Sequence, residues 1–159
     1  LSVVALPTLR NYFIRASVPE TSQQKLWEST ASSNQLTLAM RLDTNKYDIR
    51  QQMNVTLRLT NRGDSKITLV FTTSQSFDFK VTDESGREMY KWSSERFFLQ
   101  VVTKTTLEPR EKLERTLAWV IDLLPGSYRV IGMTAKFTVD ESLLPITLET
   151  PGIVVHVNS

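Results

Sequence analysis

The chain has 159 residues, 40% apolar and 23% charged, with 19 lysines and arginines against 17 aspartates and glutamates and a net charge of +2. That length suits one slightly large domain, or one domain with an appendage, and it buries a core without covalent staples; the weak, interleaved charge gives no footing for nucleic acid. There is no cysteine, which excludes disulfides, thiol chemistry and cysteine-ligated zinc, and no apolar run approaches the ~20 residues of a membrane span.

Residues 1–18 are markedly apolar. Val4, Leu6 and, past Pro7, Leu9 suggest an extended segment. A short helix opening at Pro7 is the alternative, with Leu9, Phe13 and Tyr12 on one face. Such a segment either clasps its own domain or is given as a strand to a neighbouring subunit. In the second case Val3, Val4, Leu6, Leu9, Tyr12, Phe13 and Ile14 form the self-assembly segment. The chain begins at Leu1 rather than Met, as a processed or excised chain would. Residues 19–35 are polar and rich in Ser, Thr and Gln, apart from Leu26 and Trp27, and read as a linker. The organisation expected is therefore an N-terminal segment plus linker over 1–35 and a β domain over 36–159.

Leu36, Leu38, Met40 and Leu42 alternate as a first strand, and Met53, Val55, Leu57 and Leu59 as a second. Between them Asp43, Asn45 and Asp48 faintly suggest a calcium loop, but the required Gly is missing and Tyr47 takes a ligand position. Asn54-Val55-Thr56 matches a glycosylation sequon, with Asn54 facing outward. Ile67, Leu69 and Phe71 alternate, as do Phe77, Phe79 and Val81, and Tyr90 and Trp92 share a face. Asn61-Arg62-Gly63-Asp64 and Asp83-Glu84-Ser85-Gly86 are turn chemistry. Glu111 to Ile121 reads as a strand. Pro125-Gly126-Ser127-Tyr128 turns into a long strand to Val139, with a bulge expected near Gly132. Tyr128 is placed to tie a corner through its hydroxyl. Ile153, Val155 and Val157 end the pattern. About nine short strands at this spacing predict an all-β fold, an immunoglobulin-like two-sheet antiparallel β-sandwich with an extended N-terminal segment.

The residues give little footing for catalysis. His156 is the one histidine, and no G-x-S-x-G elbow accompanies it. The carboxylates are scattered, and the five glycines lie dispersed in turns rather than in a phosphate cradle. No catalytic residue, metal or cofactor is assigned, and the chain reads as a non-catalytic interaction module. Tyr90, Trp92, Phe97 and Phe98 form the densest aromatic cluster, with Arg96 beside it, and Tyr90, Trp92, Arg96 and Phe98 are the contact candidates. They are either core packing or partner contacts, the latter because aromatic residues beside an arginine make contact hot spots.

The chain resembles the BsuPI family of intracellular proteinase inhibitors. Asn61, Phe71 to Gln75 leading into Phe77-Asp78-Phe79, Asp83 with Gly86, Tyr90-Lys91-Trp92-Ser93 and Phe98-x-Gln100 carry the likeness. Leu107-x-Pro109, Trp119, Pro125-Gly126-Ser127-Tyr128 and Val130 extend it, so that it spans roughly residues 36–139. The family pattern puts Gly where Arg110 stands. The resemblance implies a protein that binds a serine protease and occludes its active site, through a loop at 93–96, 103–111 or 140–145. The added apolar N-terminal segment points instead to an exported, extracellular or cell-surface structural subunit, whose head-to-tail strand donation builds a filament or other homo-oligomer. That second reading is the one the sequence favours. An accessory module of a larger cell-surface protein is a third.

Overall fold

The computed structural model describes residues 27–159. Twelve strands account for nearly all the regular structure: β1 (Glu28–Ser33), β2 (Leu36–Leu42), β3 (Lys46–Asp48), β4 (Gln52–Asn61), β5 (Ile67–Phe71), β6 (Phe77–Thr82), β7 (Glu88–Lys91), β8 (Thr103–Leu107), β9 (Lys112–Val120), β10 (Gly126–Thr134), β11 (Phe137–Val139) and β12 (Ile153–Asn158). One 3₁₀ turn lies at Trp92–Glu95. The self-assembly residues Val3 to Ile14 lie outside the described residues.

Three hydrogen-bonded sheets make two layers. The first runs β1-β2-β4-β9. The sheets β3-β12-β10-β6-β7 and β11-β5-β8 are two parts of the second. β5 leads into β6, and β10 leads into β11. β6 pairs with β10 and β5 with β11, so one long antiparallel ribbon is interrupted at residues 72–76 and 135–136. Ala135 N–H donates to Ser76 O across the break at 2.9 Å. The layers meet where alternation places their apolar faces. Leu38, Met40, Met53, Val55, Leu57 and Leu59 of the first layer bury completely against Phe79, Val81, Val130 and Val155 of the second. Each such side chain contributes roughly 1.5–3 kcal/mol of burial.

Three departures from the sequence reading have physical reasons. Part of the polar linker is sheet: β1 pairs with β2 from Glu28↔Arg41 to Ser33↔Leu36 through a tight turn at Asn34, whose φ of 52° asparagine tolerates. Residues 103–111 are not one loop, because Thr103–Leu107 pairs fully with β5. There is also no bulge at Gly132, where β10 keeps unbroken register with β6 from Arg129↔Thr82 to Thr134↔Phe77. Gly132 takes an inward position of β10, and a Cβ there would meet Leu57 Cδ2 at 2.6 Å and Met40 Sδ at 2.9 Å. The apparent phase shift comes from this glycine holding a core-facing place without a side chain. Met133, on the other face, is buried where Glu149 bridges to it.

The corner tyrosine is as expected, with Tyr128 Oη donating to Leu124 O at 2.6 Å. Asn54, between the buried Met53 and Val55, points away from the core. Arg110 sits at φ 73°, in the left-handed region where glycine is free of strain. Its guanidinium Nη1 donates to Arg62 O and Gly63 O at 2.6 and 3.2 Å, which offsets the backbone cost.

Candidate functional site

The chain leaves β7 directly into the 3₁₀ turn, and the turn hangs from a buried carboxylate on β6. Asp78 is 3% exposed. Its Oδ1 accepts the N–H groups of Phe79 and Ser93 at 2.9 and 3.0 Å, and its Oδ2 accepts the Ser93 hydroxyl. A carboxylate costs free energy to bury, and three donors, one of them a short hydroxyl contact, offset that cost. Asp78 thereby fixes where the loop after β7 begins.

The next brace is aromatic. Arg96 lays its guanidinium 4.2 Å from the Trp92 ring centroid and donates from Nη2 to Ala118 O on β9 at 3.3 Å. Phe98 tilts against Trp92 itself, with ring centroids 6.0 Å apart. Beside them Tyr90 of β7 stacks on Trp119 of β9 at 4.0 Å and 9°, so two edge strands of opposite layers are joined ring to ring. Burial lifts the Tyr90 hydroxyl above its ordinary pKa, and the nearby Arg96 charge opposes that rise. A third brace comes from the break in the second layer. Ser74 N–H donates to Leu99 O at 3.0 Å, and Leu99 N–H donates to Ser74 Oγ at 2.9 Å.

Tyr90, Trp92, Arg96 and Phe98 are thus brought together, but as the underside of a loop. Tyr90, Trp92 and Phe98 are half-buried, and Arg96 lies along the tryptophan. The side chains that face solvent are Phe97 (102%), Leu99 (70%), Val101 and Val102. Sequence reasoning missed Leu99, Val101 and Val102, and it placed Phe97 in the aromatic cluster but chose Phe98 as the contact candidate. Adjacent aromatic residues look alike in a sequence, and only the brace separates Phe98 turned in from Phe97 turned out. The loop at 140–145 also exposes Leu143 and Leu144, and Asp140 ties its start to Thr68 through N–H···O and Oδ1···H–N contacts of 2.7 and 2.8 Å.

His156 stands directly opposite Ser127 in the β10–β12 ladder, with Nδ1 3.0 Å from Ser127 Oγ on the exposed face. Among the described residues no carboxylate hydrogen-bonds to this pair, so it has the form of a cross-strand contact and not of a triad. Among the described residues no three His, Cys, Asp or Glu side chains gather to hold a metal, and no helix is long and apolar enough to cross a membrane.

Two layers, antiparallel apart from the short parallel pair β3–β12, make an immunoglobulin-like β-sandwich that carries an exposed apolar loop on one side. The chain belongs to the BsuPI family, described as intracellular proteinase inhibitor, whose model matches residues 40–138. That description overturns the expectation of an exported or cell-surface subunit. No curated protein matches the chain. Among solved structures, the C-terminal domain of wzt is 11% identical, with 83% of this chain and 78% of that chain covered and a TM-score of 0.50. At that identity the likeness is one of fold. The CARDB domain of the PF1109 protein from Pyrococcus furiosus is 18% identical over 77% of this chain and 87% of that chain, with a TM-score of 0.42. The putative ApaA protein from Bordetella pertussis is 19% identical over 77% and 91%, with a TM-score of 0.44.

Proposed function

We propose that the protein is a non-catalytic inhibitor that binds a serine proteinase and occludes its active site with the loop Ser93–Val102. The observation that carries this reading is the loop itself: four apolar side chains face solvent from a backbone held by Asp78, Trp92 and Ser74. An inhibitor loop must be ordered before it binds, because ordering it on contact would consume the binding free energy. Family membership supports a proteinase as the partner. Filament formation by strand donation depends on Val3 to Ile14, outside the described residues, and no observation favours it.

The test is inhibition of a panel of serine proteinases by the full chain and by the double change Leu99→Asp, Val102→Asp. Both side chains are exposed, so the variant should keep its melting temperature and lose at least ~10-fold in affinity. If the full chain inhibits no proteinase the function is wrong; if the double variant inhibits equally well the loop is wrong.

A further inference from the structure

The inhibitor loop is longer than any one pocket it could fill, and its side chains are not equivalent. Arg96 is committed to Trp92 and Ala118 O, Phe98 is turned onto Trp92, and the Leu99 backbone is held on both sides by Ser74. Phe97 lies between these anchors. Its ring is as exposed as in an open chain, and among the described residues no hydrogen bond uses its backbone. Arg96, just before it, is extended at φ −127° and ψ 153°. This is the form in which a peptide pairs with a proteinase's substrate-binding strand while one side chain enters the primary pocket.

We infer that Phe97 is the pocket-filling residue, and that the partner is a proteinase with a deep apolar primary pocket, one that cleaves after aromatic or large aliphatic residues. The inference rests on the inhibitor reading above and adds the partner's specificity to it. An aromatic ring left wholly in water beside a large core is unfavourable for the free protein, because burying such a ring is worth several times the thermal energy. With Arg96 and Phe98 both laid on Trp92, Phe97 is left wholly exposed, and a pocket of matching chemistry recovers that burial on binding. The competing loop fits this role less well. Leu144 is followed by Pro145, which has no N–H to offer in strand pairing.

The experiment measures inhibition constants for the full chain against three serine proteinases, preferring Phe or Leu, Arg or Lys, and Glu at the cleaved residue. The same measurements are made for Phe97→Ala, Phe97→Arg and the double change Leu143→Ala, Leu144→Ala. The wild-type chain is expected to inhibit the first proteinase best. Phe97→Ala should weaken that inhibition by ~100-fold or more. Phe97→Arg should move the preference to the Arg- or Lys-directed enzyme. Melting temperatures of both Phe97 variants should match wild type, since the side chain is fully exposed. If wild type inhibits but neither Phe97 variant changes the constant or the preference, the inference is overturned and the inhibitor reading stands. Loss of inhibition only in the Leu143, Leu144 variant overturns the inference and the choice of the Ser93–Val102 loop, and leaves the proteinase-inhibitor function standing. If wild type inhibits none of the three, both fall.

Discussion

Asn61 is wholly buried at the end of β4, and its amide closes two turns at once. Nδ2 donates to Ser65 O and Leu107 O at 2.9 and 3.0 Å, while Oδ1 accepts the Gly63 N–H at 2.9 Å. Its backbone N–H donates to Glu111 O and its carbonyl accepts from Arg110. Every polar atom of the side chain therefore has a partner, and removing it strands the buried Leu107 carbonyl and leaves the part-buried Ser65 carbonyl and Gly63 N–H without that partner. Asn61→Ala should cost roughly 3 kcal/mol, since unsatisfied buried groups cost about 1–3 kcal/mol each. Asn61→Asp, nearly the same shape, should cost at least as much, because it sets a carboxylate oxygen against two carbonyls. Urea denaturation of both variants checks this, and a milder loss in Asn61→Asp than in Asn61→Ala would mean that volume, not hydrogen bonding, is what the site requires. At this scale the sequence was only partly legible. Asn61 read as turn chemistry, which it is, but its reach to Leu107, 46 residues on, has no local signature.

At the scale of elements, strands with a strict apolar alternation were readable and strands held by their neighbours were not. β2, β4, β5 and β6 each turn every second residue into the core. β1, ESTASS, and β8, TKTTL, have almost no apolar face, and they exist because a neighbouring strand offers a full set of backbone partners. The loop after β7 fails to be legible for the opposite reason: its apolar residues look like core, and only the long-range braces at Asp78, Trp92 and Ser74 leave Phe97 and Leu99 facing outward. Contact between layers gives a prediction at this scale. The β10 backbone approaches β2 and β4 because Gly132 has no side chain, and an added carbon would press into Leu57 and Met40. Gly132→Ala should destabilise by about 1–3 kcal/mol, the usual cost of overfilling a packed core. Thermal melting reads it, and an unchanged melting temperature would show that Met40 and Leu57 can retreat freely.

At the scale of the whole molecule, one contribution to stability at alkaline pH comes from β3. Tyr47 is buried against β12, its hydroxyl lacks a hydrogen bond of good geometry, and burial pushes its pKa from 10.0 up to about 12, with the Thr44 backbone opposing that rise. In the unfolded chain the phenol ionises near its ordinary value. Stability from this group is therefore complete below pH 10 and is lost as pH rises through about 12, a loss of roughly 2–3 kcal/mol at 1.36 kcal/mol per unit. Tyr47→Phe should remove that part of the pH dependence while keeping the melting temperature at neutral pH or raising it, since the variant no longer buries an unpaired hydroxyl. Identical alkaline profiles for the two proteins would refute the assignment. The two-layer architecture itself was plain in the sequence, because it follows from strand alternation; the division of one layer into two parts was not, because residues 72–76, TTSQS, read equally well as an ordinary connection between two strands of one sheet. The brace that uses this division has a chemical consequence. Carboxylate, hydroxyl, guanidinium and indole hold the loop, and none of them is altered by thiols or by mild oxidants. The loop's shape is therefore independent of redox potential, and dithiothreitol and oxidised glutathione should leave it equally ready to bind.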